Sequence, residues 1–122
     1  MSVRSVSRSI AHAMRGLQYI YVHEQNFRIQ LWIAFFVLGV MVWLDIAPNQ
    51  QIIVLLLIAT VLTLEVLNSV LEKFVDIIKP RLAYQVQVVK DMMAAMVLIA
   101  SFFSIVIGIL ILAPPFLEIM LK

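Results

Sequence analysis

The chain has 122 residues, of which 64% are hydrophobic and 13% charged, and it carries a net charge of +2. Soluble domains carry about 25% charged residues, so this composition predicts an integral membrane protein. Cysteine is absent, which excludes disulfides and thiolate metal sites. The length suits one domain, 1–122, and no nucleic-acid partner is expected.

An amphipathic surface helix is predicted at about 3–25. Apolar side chains recur there at helical spacing, whereas Arg4, Arg8 and Arg15 share the opposite face. Such a helix lies in the membrane interface with its arginines toward anionic headgroups. A simple basic anchor is an alternative that explains any one arginine at least as well as a catalytic role.

Three transmembrane helices are predicted to follow, at about 27–45, 51–72 and 91–112. Each approaches the ~20 mostly apolar residues that cross a bilayer. The third is expected to open at Lys90-Asp91 and to stop before Pro114-Pro115, because proline cannot continue a helix. The predicted fold is therefore all-α.

A stripe of small residues, Ala100, Ser104 and Gly108, marks the third predicted span. Such stripes let helices pack closely. Packing within one chain and association into an oligomer explain this stripe equally well. Since three helices enclose little by themselves, an oligomer is predicted.

Basic residues predict the orientation. The connection 45–51 has none. Seven precede the first span or lie between the second and third, namely Arg4, Arg8, Arg15, Lys73, Lys79, Arg81 and Lys90. The N-terminus is therefore predicted to be cytoplasmic and the C-terminus external, in the bacterial inner membrane.

A ladder of polar residues begins inside the second predicted span. The pattern Glu65-x-x-Asn68-x-x-x-Glu72-x-x-x-Asp76 falls within roughly 80° of one helical face. A charge at membrane depth costs at least ~2.5–3.5 kcal/mol, which favours a functional role for Glu65 over a purely structural buried pair. The acids predict a site for a cation and a polar substrate at the inner membrane surface.

Acids near a lysine, without sulfur ligands, favour a hard cation, above all Mg²⁺. A lysine can neutralise a transferring phosphate, and a deeper carboxylate such as Glu65 could act as a general base toward a lipid hydroxyl. A kinase for a membrane alcohol is therefore plausible, although these physical arguments do not require it. The sequence has neither a Walker A pattern nor a protein-kinase glycine-rich loop.

The string Glu65-Val-Leu-Asn68-Ser69-Val-Leu-Glu72-Lys-Phe-Val-Asp76, followed by Lys90-Asp91, resembles the signature of the prokaryotic diacylglycerol kinase family. Upstream, Arg15-Gly16-Leu17 and Glu24-Gln-Asn26-Phe27-Arg28 also fit, so the resemblance covers roughly 9–108. It implies three transmembrane helices and a surface helix, assembled as a homotrimer with sites between subunits. It also implies an ATP- and Mg²⁺-dependent lipid kinase.

The resemblance further implies roles for individual residues. Glu65 would deprotonate the lipid hydroxyl, with Asn68 and Ser69 on the substrate side. Glu24 and Glu72 would hold the magnesium ions that bridge the ATP phosphates. The residues implied in nucleotide binding are Glu24, Glu72, Asp76, Lys90, Asp91 and, more weakly, Arg15.

The family includes a diacylglycerol branch and an undecaprenol branch. The stretches His12-Ala13-x-Arg15-Gly16 and Glu24-x-Asn26-Phe27 are closer to the undecaprenol branch, so undecaprenol is slightly favoured as substrate. Two other functions stay open from the residues alone. One is a small cation- or proton-coupled transporter that uses Glu65, and the other is a non-catalytic membrane subunit.

Overall fold

The computed structural model describes residues 2–78 and 83–122 and contains four α-helices there. They are α1 (Val3–His23), α2 (Gln25–Leu44), α3 (Pro48–Ile78) and α4 (Ala83–Met120). By length and composition, α2, α3 and α4 are candidate membrane spans. The predicted all-α fold with three apolar spans is confirmed. Lys79 and Arg81 of the orientation argument lie outside the described residues.

Helix α1 is amphipathic, as its spacing predicts, and it ends at His23 rather than at 25. Ser2 caps its start, since the Ser2 hydroxyl accepts a hydrogen bond from the Ser5 N–H at 3.2 Å. Within Val3–His23, all of which is described, no residue is buried. Its apolar face is therefore free to meet something outside this chain, which is what an interfacial helix requires.

The break between α1 and α2 fixes the position of Glu24. This residue is extended, with φ −113° and ψ 103°. The Arg28 guanidinium, one turn into α2, donates to the carbonyl oxygens of Tyr21 and Val22 at 2.6 and 2.7 Å. The last carbonyls of a helix have no partner within the helix, so Arg28 stabilises the end of α1. Arg28 thereby holds the bend that carries the Glu24 carboxylate.

Helices α2 and α3 are joined by a short turn. Asp45 ends α2 in the left-handed conformation with φ 51°, and Pro48 occupies the first position of α3, where proline is well tolerated. The Gln51 side-chain amide donates to the Ile46 carbonyl at 3.1 Å. A buried apolar cluster holds α2, α3 and α4 together at this end and comprises Met41, Leu44, Ile46, Val54 and Ile111.

Helix α4 is longer than predicted at its C-terminal end. The prediction that Pro114-Pro115 stops the helix is wrong, because both prolines lie inside α4, which continues to Met120. The fixed φ of proline is itself helical, and only its missing N–H and its ring disturb the helix. Beyond the prolines, the Phe116 ring packs edge-on against Trp43 of α2, with centroids 6.2 Å apart. This contact between helices favours continued helix.

The start of α4 also differs from the prediction. Lys90 and Asp91 do not open this helix, since it begins at Ala83, about two turns earlier. Val86 and Met93 are each 5% exposed and lie seven residues apart, on one helical face. Burial of this face extends the packed part of α4 toward its N-terminus, and Lys90 is consequently held by a formed helix.

Candidate functional site

The polar ladder lies on a single continuous helix, α3, as its spacing predicts. The solvent exposure of the ladder side chains rises from Glu65 to Asp76. Glu65 is only 3% exposed, Asn68 and Glu72 are half-buried, and the Asp76 side chain is 56% exposed. The ladder therefore connects the interior of the helical bundle to its surface.

Glu65 is held by a glutamine of a neighbouring helix. The Gln30 amide on α2 donates from Nε2 to Glu65 Oε2 at 3.2 Å. An ionised carboxylate only accepts hydrogen bonds, so the amide nitrogen is the end that faces it. Sequence reasoning gave Gln30 no role. The available signal was a polar side chain within an apolar span, which usually bonds to another helix.

Two further carboxylates approach Glu65. Glu24, at the bend between α1 and α2, and Glu72, two turns along α3, are close enough for their charges to act on it. Carboxylates within electrostatic range of each other repel unless a cation is present. The structure thus places Glu24 and Glu72 within electrostatic range of Glu65.

Within residues 2–78 and 83–122, no group of three or more ligating side chains could hold one metal ion. Mg²⁺ takes one or two carboxylates, and water and substrate phosphates fill its other positions. Glu24 and Glu72, which the resemblance implies as magnesium ligands, are carboxylates of this kind.

A lysine lies beside the ladder at its exposed end. Lys90 Nζ on α4 is 3.2 Å from Asp76 Oδ1 on α3. Asp91 accepts a hydrogen bond from the Gln87 amide at 3.0 Å along the same helix. Because both lysine and aspartate are partly exposed, the charged groups of this end remain accessible to an anionic ligand.

A second lysine ties α1 to the ladder helix. Lys73 Nζ lies 5.1 Å from the centre of the Tyr19 ring, a cation–π contact between α3 and α1. Tyr19 also stacks on His23, with ring centroids 4.0 Å apart. Glu24 and Asp76 are near enough to act on the charge of Lys73. The surface helix is thereby placed against the acidic end of α3.

Two predicted site residues have other contacts. Arg15 bonds through Nη2 to His12 Nδ1 at 2.7 Å, on the exposed α1, and within the described ranges it meets no acid of the ladder. Ser69 is 4% exposed, and its hydroxyl donates to the Glu65 carbonyl at 3.1 Å. The Ser69 proton is therefore engaged with the backbone of α3.

An apolar cleft of about 580 Å³ lies between α2, α3 and α4. Its lining includes Gln30 near the start of α2 and Phe116 near the end of α4. Apart from Gln30, the polar side chains that line it are Ser101 and Ser104. The cleft therefore meets the acidic site at the Gln30–Glu65 pair, where an apolar ligand and a polar one could come together.

The ion pair of Lys90 and Asp76 is expected to contribute little to stability. Both side chains are partly exposed, at 33% and 56%, and exposed pairs contribute roughly 0–1 kcal/mol. We expect Asp76→Asn to leave the thermal unfolding midpoint nearly unchanged. A large loss of thermal stability would show that the pair is structural.

The fold and this site define an all-α protein with three candidate membrane spans, in which acids lie at one end of an apolar cleft. Residues 11–112 match the model of the family described as prokaryotic diacylglycerol kinase, and the chain belongs to this family of lipid kinases. The predicted family and enzyme class are confirmed, and they favour a kinase over the transporter and the non-catalytic subunit.

Two relatives are informative. The chain is 28% identical over 113 residues to a diacylglycerol kinase of Synechocystis sp., covering 92% of this chain and 65% of that protein. It is 34% identical over 107 residues to an undecaprenol kinase of Bacillus subtilis, covering 88% and 87%. The chain thus spans a little less than two thirds of the Synechocystis relative.

Proposed function

We propose that this chain transfers the γ-phosphate of ATP to the hydroxyl of a membrane lipid alcohol, undecaprenol or diacylglycerol, with Mg²⁺. The observation that carries the proposal is the position of Glu65. It is a buried carboxylate between an apolar cleft and a group of accessible acids. A lipid chain suits the first environment, and a nucleotide with its metal suits the second.

In this proposal Glu65 acts as the general base. The lipid hydroxyl gives its proton to the Glu65 carboxylate, and its oxygen forms a bond to the γ-phosphorus of ATP. The bond between that phosphorus and the oxygen bridging to the β-phosphate breaks, which leaves ADP and a lipid phosphate monoester. Proper placement of the base contributes ~10²–10⁴-fold to such reactions.

Glu24 and Glu72 would hold Mg²⁺, whose contribution when bound is to neutralise charge on the ATP phosphates. Lys90 would contact the same phosphates, and Asp76 and Asp91 would bind nucleotide or fix Lys90. The 3.2 Å contact between Lys90 and Asp76 supports the second role for Asp76.

The remaining proposed contacts are on the substrate side and at the surface helix. Asn68 would orient the lipid hydroxyl, and its half-buried place between Glu65 and Glu72 on α3 supports this role. Ser69 would support the backbone at Glu65. Arg15 is the least supported nucleotide contact, because its bond to His12 keeps it on α1.

Undecaprenol is the favoured substrate. The relative named undecaprenol kinase matches at 34% identity over 87% of its length, whereas the one named diacylglycerol kinase matches at 28% over 65%. The cleft lining, which is apolar apart from one glutamine and two serines, suits a hydrocarbon chain that bears a single hydroxyl.

We further propose one domain, 1–122, with its membrane-embedded parts at about 27–45, 51–72 and 91–112 and its acidic end in the cytoplasm. The active form would be a homotrimer with sites between subunits. A Cβ at Gly108 would meet no atom within 4 Å in the described part of the chain, and this residue lines the apolar cleft. The homotrimer proposal therefore rests on the family resemblance and on the little space that three helices enclose by themselves.

The test is phosphate transfer from γ-labelled ATP by purified protein in mixed micelles, with undecaprenol and diacylglycerol offered separately, with and without Mg²⁺. We expect magnesium-dependent labelling of at least one of the two lipids, and we expect undecaprenol to be labelled faster than diacylglycerol. Faster labelling of diacylglycerol would support the kinase activity but would make diacylglycerol, not undecaprenol, the preferred substrate. Labelling of neither lipid by a folded preparation would contradict the proposed function.

A further inference from the structure

The side-chain amide of Gln30 has two ends in different environments. Its Nε2 donates to Glu65, as described above. Its Oε1 is buried and has no hydrogen-bond donor among residues 2–78 and 83–122. Buried polar atoms nearly always have a partner, so an unpartnered acceptor at this place calls for an explanation.

The position of this acceptor supplies one. Gln30 lines the apolar cleft while it bonds to the carboxylate at the cleft end. A group that donates a hydrogen bond to Oε1 is therefore brought next to Glu65, because the two ends of one amide are joined through a single carbon. A hydroxyl is such a donor.

We propose that Gln30 positions the lipid hydroxyl and selects for it, accepting its hydrogen bond at Oε1 while Nε2 orients the Glu65 carboxylate. The inference rests on the proposed kinase function. The hydroxyl first donates a hydrogen bond to Gln30 Oε1. It then transfers its proton to the Glu65 carboxylate as its oxygen attacks the γ-phosphorus of ATP. Gln30 thus holds both partners of the proton transfer in one geometry.

This arrangement selects for a ligand that donates a hydrogen bond. An acceptor in an apolar cleft is satisfied by a ligand that brings a donor, and it opposes a ligand group that brings only acceptors. An isoprenoid alcohol presents one hydroxyl on a hydrocarbon chain. Diacylglycerol also carries one free hydroxyl, so Oε1 admits either alcohol and opposes a lipid whose hydroxyl is blocked.

A purely structural role for Gln30 explains less. If Gln30 served only to stabilise the buried Glu65 carboxylate, the hydrogen bond from Nε2 would be enough. The buried Oε1 would then destabilise the fold without any compensating interaction. A structural role also predicts that removing the amide harms folding, ATP use and lipid use alike. The two roles can therefore be separated by experiment.

The experiment compares wild type with Gln30→Met, which keeps the length of the side chain and removes both ends of the amide. Gln51→Met is the matched control, because Gln51 donates to a backbone carbonyl at the far end of the bundle. Binding of a short polyprenol and of its methyl ether, which cannot donate, is measured in micelles without nucleotide. The kcat/KM for the lipid and the KM for ATP are measured in parallel.

We expect wild type and Gln51→Met to bind the alcohol about tenfold more tightly than the ether, from the loss of one hydrogen bond. Gln30→Met should bind the two equally, and its kcat/KM for the lipid should fall about 10- to 100-fold with the KM for ATP unchanged. Gln30→Asn, whose amide is one carbon shorter, should also lose the preference and serves if Gln30→Met does not fold.

Undiminished preference for the alcohol in both Gln30 variants would overturn the inference, as would a matching rise in the KM for ATP. A wild-type protein that binds the alcohol selectively without transferring phosphate would instead contradict the proposed function. The binding measurements therefore test the role of Gln30, and the transfer measurements test the proposed kinase function.

Discussion

Replacing Glu65 with glutamine is expected to nearly abolish phosphate transfer while the helices stay assembled. A positioned general base contributes ~10²–10⁴-fold, and the amide of a glutamine cannot take the hydroxyl proton, so kcat should fall by about that factor. The substitution keeps the size of a side chain that is 3% exposed, and its carbonyl can still accept from Gln30. Initial rates with saturating lipid and ATP measure the effect.

The control is Glu118→Gln, the same chemical change at an exposed position near the end of α4. It should leave kcat unchanged. Elution volume in detergent and the KM for ATP should match wild type in both variants, because Glu65 is proposed to meet the lipid rather than the nucleotide. Undiminished turnover in Glu65→Gln would show that another group takes the proton.

The features that lie along one helix could be predicted from the sequence. Helical periodicity fixes which residues share a face, so the spacing of Glu65, Glu72 and Asp76 is enough to place them on one stripe of α3. Apolar length gave the three candidate spans for the same reason, since both are properties of a segment by itself. The family resemblance, predicted over roughly 9–108, is confirmed by the match of residues 11–112 to the family model.

Contacts between helices could not be predicted in this way. Gln30 and Glu65 are 35 positions apart, and the periodicity of each helix says nothing about how the two rotate against each other. The persistence of α4 through Pro114 has a similar origin, because the contact of Phe116 with Trp43 adds a stabilising interaction that local proline preference omits. Packing between elements decides both cases.

Removing the Glu72 carboxylate is expected to change the response to magnesium more than any other property. In Glu72→Ala, one of the two carboxylates proposed for Mg²⁺ is lost, and the ion keeps only Glu24 and the phosphates. We expect the Mg²⁺ concentration for half-maximal activity to rise at least tenfold and kcat to fall by about 10²-fold, since metal stabilisation of phosphoryl transfer amounts to several kcal/mol. A magnesium titration at saturating ATP and lipid measures both.

Glu118→Ala is the matched control and should titrate like wild type, and an unaltered titration in Glu72→Ala would exclude the metal role. The pair Glu24 and Glu72 offers a sharper test. If both carboxylates hold one ion, the second substitution removes a ligand from a site already disabled, so Glu24→Ala and Glu72→Ala together should cost much less than the product of the single effects. Fully multiplicative effects would mean that the two acids act separately, and the metal would then have to be assigned to only one of them.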